Sequence, residues 1–382
     1  MKLNKRLLQN IAFILLSSFG GFILVWAGLD IGWIIGTLIM AAFLSFRPLR
    51  WLKDPDHPEK GMPTYWLRIG QTILAVELGQ KINLSVISTF QKHWLTITIM
   101  LLLSVVFSLL SGLLIWKFSQ TDMITSFFAT APGGIVVMPG LAQDIGANTG
   151  VVSIVQTMRV FLVVILIPII ASTWFVTGET SLMSTNQAVT TITNTFGLSQ
   201  LGGTVLLFLA AWGGKFIGKL LRFPSPVLIG GLVGVAVVQG LYYLILDSEL
   251  IVWWPALIMI IAQVLMASSI GARFQRSMFQ NIGKLLFVAF ISTVGLILAM
   301  LICAYFVSVI TGISLITSVL AFAPGGVAEM AATAIILEAD STFVVAVQVL
   351  RIVVVILVLP PLFKLMSRRQ IHKKYDDSKV SV

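Results

Sequence analysis

The sequence predicts an all-α, polytopic integral membrane protein made of two inverted repeats of about five transmembrane helices each. Composition is the first reason, because 58% of the 382 residues are hydrophobic and only 10% are charged, which lies well outside the range of soluble domains. The second is that apolar stretches of roughly 20 residues, enough to cross a hydrocarbon core of about 30 Å, recur along the chain. The third is an internal duplication.

The duplication shows most clearly in a four-residue motif. Ala131-Pro132-Gly133-Gly134 recurs 192 residues later as Ala323-Pro324-Gly325-Gly326. A Gln-x-x-Arg pair recurs at the same offset without a gap, as Gln156 and Arg159 in the first copy and Gln348 and Arg351 in the second. We therefore divide the chain into repeat 1 (1–175), a polar linker (176–199), repeat 2 (200–366) and a basic tail (367–382).

Ten full spans are predicted, five in each half. They lie near residues 11–27, 31–46, 64–83, 93–116, 149–172, 200–219, 225–246, 252–272, 282–309 and 342–364. In each half a Pro-Gly-Gly sequence interrupts a further apolar segment, Asp122 to Gly146 and Ser314 to Glu338. Proline removes a backbone donor and glycine frees φ, so each segment is predicted to be a re-entrant hairpin or a broken helix.

The distribution of Lys and Arg predicts the orientation. Most of the basic clusters, such as those in 47–60 and 364–374, fall on one side if the interrupted segments do not cross, and that side is the cytoplasm. Both termini are then cytoplasmic, the linker is extracytoplasmic, and an odd number of crossings per half inverts the second repeat. If the segments do cross, there are twelve spans and the repeats are parallel. The expected location is the inner membrane of a bacterial cell.

The two interruptions are the predicted centre of function. Bare backbone at membrane depth is tolerated where it lines a cavity, although Pro-Gly-Gly also makes ordinary tight turns. Arg159 and Arg351 lie about ten residues into their spans, where an arginine costs about 2.5 to 3.5 kcal/mol to insert. With the two glutamines one turn earlier, they either bind an anionic group such as a carboxylate or form a structural pair with carbonyls or Glu329. The candidate substrate-binding residues are Pro132, Gly133, Gly134, Gln156, Arg159, Pro324, Gly325, Gly326, Glu329, Gln348 and Arg351.

The acidic residues in apolar segments have separate interpretations. Glu329 has only Val137 as its repeat-mate, so it is a candidate to carry a proton or to meet a cation. Glu77 either reaches the central cavity or, as we favour, pairs with Lys81 at i+4. Glu338 and Asp340 are expected at the aqueous end of the second interrupted segment.

No catalytic residue, metal ligand or cofactor is predicted. His57, His93 and His372 fall in loops or the tail and form no metal-spaced pair, which argues against copper or non-haem iron oxygenase chemistry. No helix-turn-helix fits the short polar loops, so nucleic acid is not an expected partner.

The paired Ala-Pro-Gly-Gly…Gln-x-x-Arg blocks, the run from Ile31 to Gly36 and its partner from Pro224 to Gly231 resemble the duplicated bacterial AbrB-type membrane family, over essentially the full chain. Members of that family carry the labels ammonia monooxygenase, regulator and transporter, and the resemblance implies a distant likeness to inverted-repeat antiporters and symporters. We predict a secondary transporter, not an enzyme, for a small anionic solute coupled to a proton or sodium, embedded in the lipid bilayer. A homodimer is expected by analogy only. The alternative is a non-transporting membrane sensor that affects gene expression indirectly.

Overall fold

The computed structural model describes most of the chain, and its described residues form helices without any β-strand. They are residues 2–29, 31–47, 62–82, 85–132, 138, 142–143, 145–175, 198–221, 223, 225–246, 250, 252–274, 282–355 and 358–359. The predicted linker and tail lie almost wholly outside them.

The helices of the first half follow the predicted order. They are α1 (Lys2–Trp26), α2 (Gly32–Phe46), α3 (Thr64–Gln80), α4 (Ser85–Ser119), α5 (Met123–Thr130) and α6 (Thr149–Ile170). Helix α4 is kinked at His93, where φ is −117° and ψ is 20°. Helix α6 continues into a π-helical turn over Ala171–Phe175.

The second half repeats this order. Its helices are α7 (Leu198–Leu220), α8 (Gly231–Leu246), α9 (Ala256–Gly271), α10 (Gly283–Thr311), α11 (Leu315–Phe322), α12 (Val327–Ile336) and α13 (Ser341–Val355). A π-helical turn over Pro226–Gly230 leads into α8.

Six described segments are long and apolar enough to cross a bilayer: Arg6–Trp26, Ser88–Ser119, Thr149–Thr173, Gln200–Leu220, Pro226–Leu246 and Gly283–Thr311. Large apolar side chains cover outward faces, with Trp26 84% and Leu244 80% exposed. A soluble domain would bury much of that surface, so these helices indicate a protein embedded in a membrane.

Two of the ten predicted spans, α3 with 17 residues and α9 with 16, are shorter in the structure than the sequence indicated. Helix α2, with 15 residues, begins within one residue of its predicted start and ends at its predicted end, and the described part of α13 is Ser341–Val355. At a rise of about 1.5 Å per residue, a 15-residue helix reaches only about 22 Å. Much of the length of α9 is buried instead of facing outward, from Ala262 to Gly271.

Contacts divide the chain into two compact units, and each unit takes corresponding pieces from both halves. The first unit contains Met1–Ser88, Pro168–Met278 and Ala328–Phe343, and therefore α1–α3, α7–α9 and α12. The second contains Thr89–Ile167, Phe279–Val327 and Val344–Val382, and therefore α4–α6, α10, α11 and α13.

In the first unit, two helix crossings repeat with the sequence. Gly20 of α1 lies directly against Gly36 of α2, and Gly214 of α7 lies against Gly230 at the start of α8. A Cβ atom at any of these positions would collide with the backbone of its partner, so the crossings require glycine.

In the second unit, a cluster of buried apolar side chains forms around the first interrupted segment. Phe127 and Phe128 of α5 pack with Val155 of α6, Leu285 of α10 and Val355 of α13, all of them buried. This packing holds α5 against α6 and thereby places the backbone of the first break beside the side chains of α6.

Candidate functional site at two interrupted helices

The first break follows from proline chemistry. Asp122 caps the start of α5, because its carboxylate accepts a hydrogen bond of 2.8 Å from the amide of Thr125. It ends at Thr130, because Ala131 is extended with φ −59° and ψ 130°. A residue before proline is disfavoured in the α region, and Pro132 follows. Pro132 is buried, while Gly133 and Gly134 lie outside the described residues.

The second break has the same construction. Ser314 caps α11 by accepting a hydrogen bond of 3.3 Å from the amide of Thr317. The helix ends at Phe322, since Ala323 is extended with φ −53° and ψ 136°. Pro324 is buried, Gly325 and Gly326 are half-buried, and α12 begins at Val327. The prediction that Ser314 to Glu338 is not one continuous helix is confirmed.

In the first half, α6 binds the end of α5 through its glutamine and arginine. Gln156 Nε2 donates to the carbonyl oxygens of Phe128 at 3.0 Å and Ala131 at 2.8 Å. Arg159 Nη1 donates to the carbonyls of Thr130 at 2.6 Å and Ala131 at 3.1 Å. Arg159 Nη2 also donates to Gln156 Oε1 at 2.5 Å, so each side chain fixes the position of the other.

In the second half, α13 binds the end of α11 in the same way. Gln348 Nε2 donates to the carbonyls of Leu320 at 2.9 Å and Ala323 at 3.1 Å. Arg351 Nη1 donates to Ala323 O at 2.5 Å, and Nη2 donates to Gly325 O at 3.0 Å. Arg351 Nη2 also donates to Gln348 Oε1 at 2.5 Å.

These contacts confirm that each glutamine and arginine share one helical face, and they show that carbonyls accept from both arginines. The carbonyl end of a helix carries partial negative charge. Each guanidinium therefore lies where its charge is stabilised, at the end of a half-helix whose carbonyls the break leaves without intrahelical donors.

The two guanidinium groups share the second unit, and their charges are incompletely matched. Arg159 and Arg351 are 4% and 2% exposed, and both belong to the second unit. In both, Nε is buried and has no hydrogen-bond partner among the described residues. The only carboxylate in the described part of this unit is Asp122, which caps the opposite end of α5. Two buried positive charges with unused donors can bind an anion.

Glu329 has a partner that sequence analysis missed. It lies in the first turn of α12, within the first unit, and interacts electrostatically with Arg273, just beyond α9. The repeat-mate of Arg273 is Lys81, whose ammonium forms the predicted ion pair with Glu77 at 2.8 Å. The basic residue shared by positions 81 and 273 is the signal in the sequence from which Arg273 could have been found.

Three further hydrogen bonds fix the ends of the helices around the two breaks. Asp340 caps α13 by accepting from the amide of Phe343 at 2.9 Å, as its repeat-mate Asn148 does for α6 at 3.1 Å. Ser108 of α4, which no motif singled out, donates to Thr130 O at 2.7 Å.

The three histidines of the chain lie apart from the two breaks in sequence. No group of three or more His, Cys, Asp or Glu residues there is placed to hold a metal ion. His93 lies at the kink of α4, while His57 and His372 are outside the described residues.

Comparison with known proteins identifies the family. The model of the family described as transition state regulatory protein AbrB matches residues 33–367. The chain belongs to the AbrB family. An uncharacterized protein of Bacillus subtilis (strain 168), YhjN, is 46% identical over 382 residues, covering 100% of this chain and 99% of the relative. A protein of Escherichia coli (strain K12) named "Putative regulator AbrB" is 25% identical over 297 residues, covering 78% of this chain and 81% of the relative.

Proposed function

We propose that this AbrB-family protein is a secondary transporter, and not an enzyme, that carries a small anionic solute across the membrane by alternating access. The observation that carries the proposal is the pair of buried guanidinium groups, Arg159 and Arg351, each with an unpartnered Nε. A buried donor without an acceptor costs about 1 to 3 kcal/mol. An anion that accepts from both arginines would remove this cost.

The two interrupted helices favour transport of the anion over its tight, permanent binding. Interrupted helices at membrane depth are the usual ligand sites of secondary transporters built from inverted repeats. The two breaks of this chain lie in one unit together with both arginines, which supports a single site. In this proposal the two repeats are inverted, each crosses the inner membrane five times, and both termini are cytoplasmic.

The orientation is tested by cysteine accessibility. On a Cys303→Ser background, single cysteines replace Ser184 in the linker or Ser378 in the tail, and intact cells are labelled with an impermeant maleimide. Labelling of the linker alone supports the inverted plan. Absence of labelling at both positions would mean that the interrupted segments cross and that the repeats are parallel.

Transport is tested by counterflow in proteoliposomes with labelled acetate, succinate and inorganic phosphate as probes. We expect flux of one of these anions in the wild type and at least a roughly tenfold loss in Arg159→Ala and in Arg351→Ala, since about 1.4 kcal/mol of lost binding is tenfold. Lys215→Ala is the matched control, because Lys215 lies over the Phe216 ring in the first unit, outside the site. Equal flux in all four proteins would exclude the proposed anion site.

Glu329 is the proposed carrier of the coupling ion, either a proton or sodium. Arg273 interacts electrostatically with Glu329. This attraction is present when the carboxylate is ionised and is lost when the carboxylate binds a proton. Glu329→Gln is expected to abolish flux driven by a pH gradient while solute binding stays measurable. Glu338→Gln serves as the control, and undiminished pH-driven flux in Glu329→Gln would remove this residue from the mechanism.

A non-transporting sensor is the second candidate, and the name of the Escherichia coli relative favours it. A sensor of this kind would pass its signal to a cytoplasmic partner through the basic tail. Deleting His372 to Val382 should abolish the output of a sensor, whereas a carrier should retain its flux.

A further inference from the structure

The carbonyl end of an interrupted helix is a natural site for a small monovalent cation. Several carbonyl oxygens converge there, the helix dipole adds negative charge, and water is scarce. A carrier that uses such an end for sodium must leave those oxygens free to coordinate the ion. The state of these oxygens therefore bears on which ion drives transport.

In the first half of this chain, described side chains already bind these oxygens. Phe128 O accepts from Gln156, and Ala131 O accepts from both Gln156 and Arg159. Thr130 O accepts from Arg159 and from Ser108.

In the second half the same atoms are bound by the repeat-mates. Leu320 O accepts from Gln348, Ala323 O accepts from Gln348 and Arg351, and Gly325 O accepts from Arg351. An oxygen with an N–H donor at 2.5 to 3.1 Å cannot coordinate sodium in the same direction.

The occupying group matches a monovalent cation in charge. A guanidinium carries one positive charge at every physiological pH and is held here by carbonyl oxygens and a glutamine. The arrangement repeats in both halves, so a single accidental contact does not explain it. The glutamines are positioning residues, because each donates to the same carbonyl as its arginine and accepts from Nη2 of that arginine.

We propose that Arg159 and Arg351 are tethered counter-charges, which occupy the two carbonyl clusters in place of a free monovalent cation, and that the protein consequently moves its anion without sodium. The claim about sodium rests on the proposed function, whereas the claim about the carbonyl clusters does not. If sodium is not used, the coupling ion is a proton. Nε of each arginine remains available to bind the solute.

The first test is chemical rescue by free guanidinium of a variant whose carbonyl cluster has lost its arginine. Arg351→Ala, purified in detergent, should unfold at a lower temperature than the wild type, and millimolar guanidinium should raise its midpoint in a saturable way, as mass action requires for a bound ligand. The wild type and Lys215→Ala should show no such rise, which separates binding from the denaturing action of guanidinium. A midpoint in Arg351→Ala that guanidinium does not raise overturns the inference. Should that variant fail to fold, Arg159→Ala is measured in its place with the same expected and overturning results.

The second test is counterflow of the labelled anions by the wild type, with all sodium replaced by N-methyl-D-glucamine. Equal initial rates with and without sodium support the inference, and a requirement for sodium overturns it while leaving the proposed transport intact. If rescue by guanidinium succeeds but no labelled anion moves, the proposed function fails and the role of the arginines as tethered counter-charges stands.

Discussion

The two interrupted helices use one hydrogen-bonding scheme but depend on it differently. At the first break, Thr130 O accepts from Ser108 as well as from Arg159. At the second, the position equivalent to Ser108 is Met300, which cannot donate to a carbonyl, and Arg351 instead reaches Gly325 O within the Pro-Gly-Gly motif itself. The first break is supported by two elements besides its own helix, whereas the second relies on α13.

This difference shows how a duplicated site diverges. The Gln-x-x-Arg pair and the proline set the shared geometry, so both halves retain them. Residues on the neighbouring helices decide how much of the stability of each break depends on its arginine. The second half also gains an acid directly after its break, Glu329, where the first half has Val137.

The largest expected effect separates the two arginines. Removing Arg351 leaves Gly325 O without its described partner, whereas removing Arg159 leaves Thr130 O bound to Ser108 and Ala131 O bound to Gln156. Arg351→Ala should therefore lower the free energy of unfolding by about 1 kcal/mol more than Arg159→Ala, the low end of the cost of an unsatisfied carbonyl, because Gly325 is half-buried. Reversible unfolding in mixed micelles measures it, and equal losses would contradict the comparison.

Ser108 provides a smaller and sharper test. Ser108→Ala alone should cost about 1 kcal/mol, the net value of one hydrogen bond. In the Arg159→Ala background, Ser108→Ala should lower the free energy of unfolding by about 2 kcal/mol, about 1 kcal/mol more than in the wild type, because Thr130 O then loses both donors. Met300→Ser, at the equivalent position of the second half, is the matched control. Strict additivity in the double-mutant cycle would show that Ser108 does not support the first break.

The smallest expected effect concerns the ends of the interrupted segments. Gly146 and Glu338 are repeat-mates, and both have positive φ, 79° and 53°. Left-handed backbone costs a residue with a Cβ roughly 1 to 2 kcal/mol, while glycine adds entropy to the unfolded chain worth about 0.5 to 1 kcal/mol. Gly146→Ala should therefore destabilise by about 0.5 kcal/mol or more, and Glu338→Gly should stabilise by about 0.5 kcal/mol. Thermal unfolding of both variants checks this, and opposite signs would show that another contact dominates.

Much of the paired site could be predicted from the sequence, because residues at equivalent positions of a duplicated chain make equivalent contacts. The offset of 192 residues paired the two motifs, and the matching glutamines and arginines proved to make matching hydrogen bonds. The Pro-Gly-Gly motif predicted an interruption in the segment from Ser314 to Glu338, and α11 does end before it, because proline disfavours the α conformation of the preceding residue. The i+4 spacing likewise gave the Glu77–Lys81 ion pair.

The lengths of some helices and two of the pairings could not be predicted, because they depend on tertiary contacts that leave no local pattern in the sequence. Hydropathy predicts apolar runs but not whether a run faces lipid or protein, which is why α3 and α9 were predicted too long. Ser108 stands 22 residues before its acceptor Thr130, and Arg273 stands far in sequence from Glu329. Neither pairing has a spacing that sequence reasoning could use.

The most direct test of the central claim is equilibrium binding of the anion that shows the highest counterflow to purified wild type, Arg159→Ala and Arg351→Ala. If the two arginines form one site, the wild type binds one anion per chain and either substitution weakens that single event by at least about tenfold. Two anions per chain in the wild type, with one retained in each variant, would contradict a shared site and would show that each interrupted helix binds on its own.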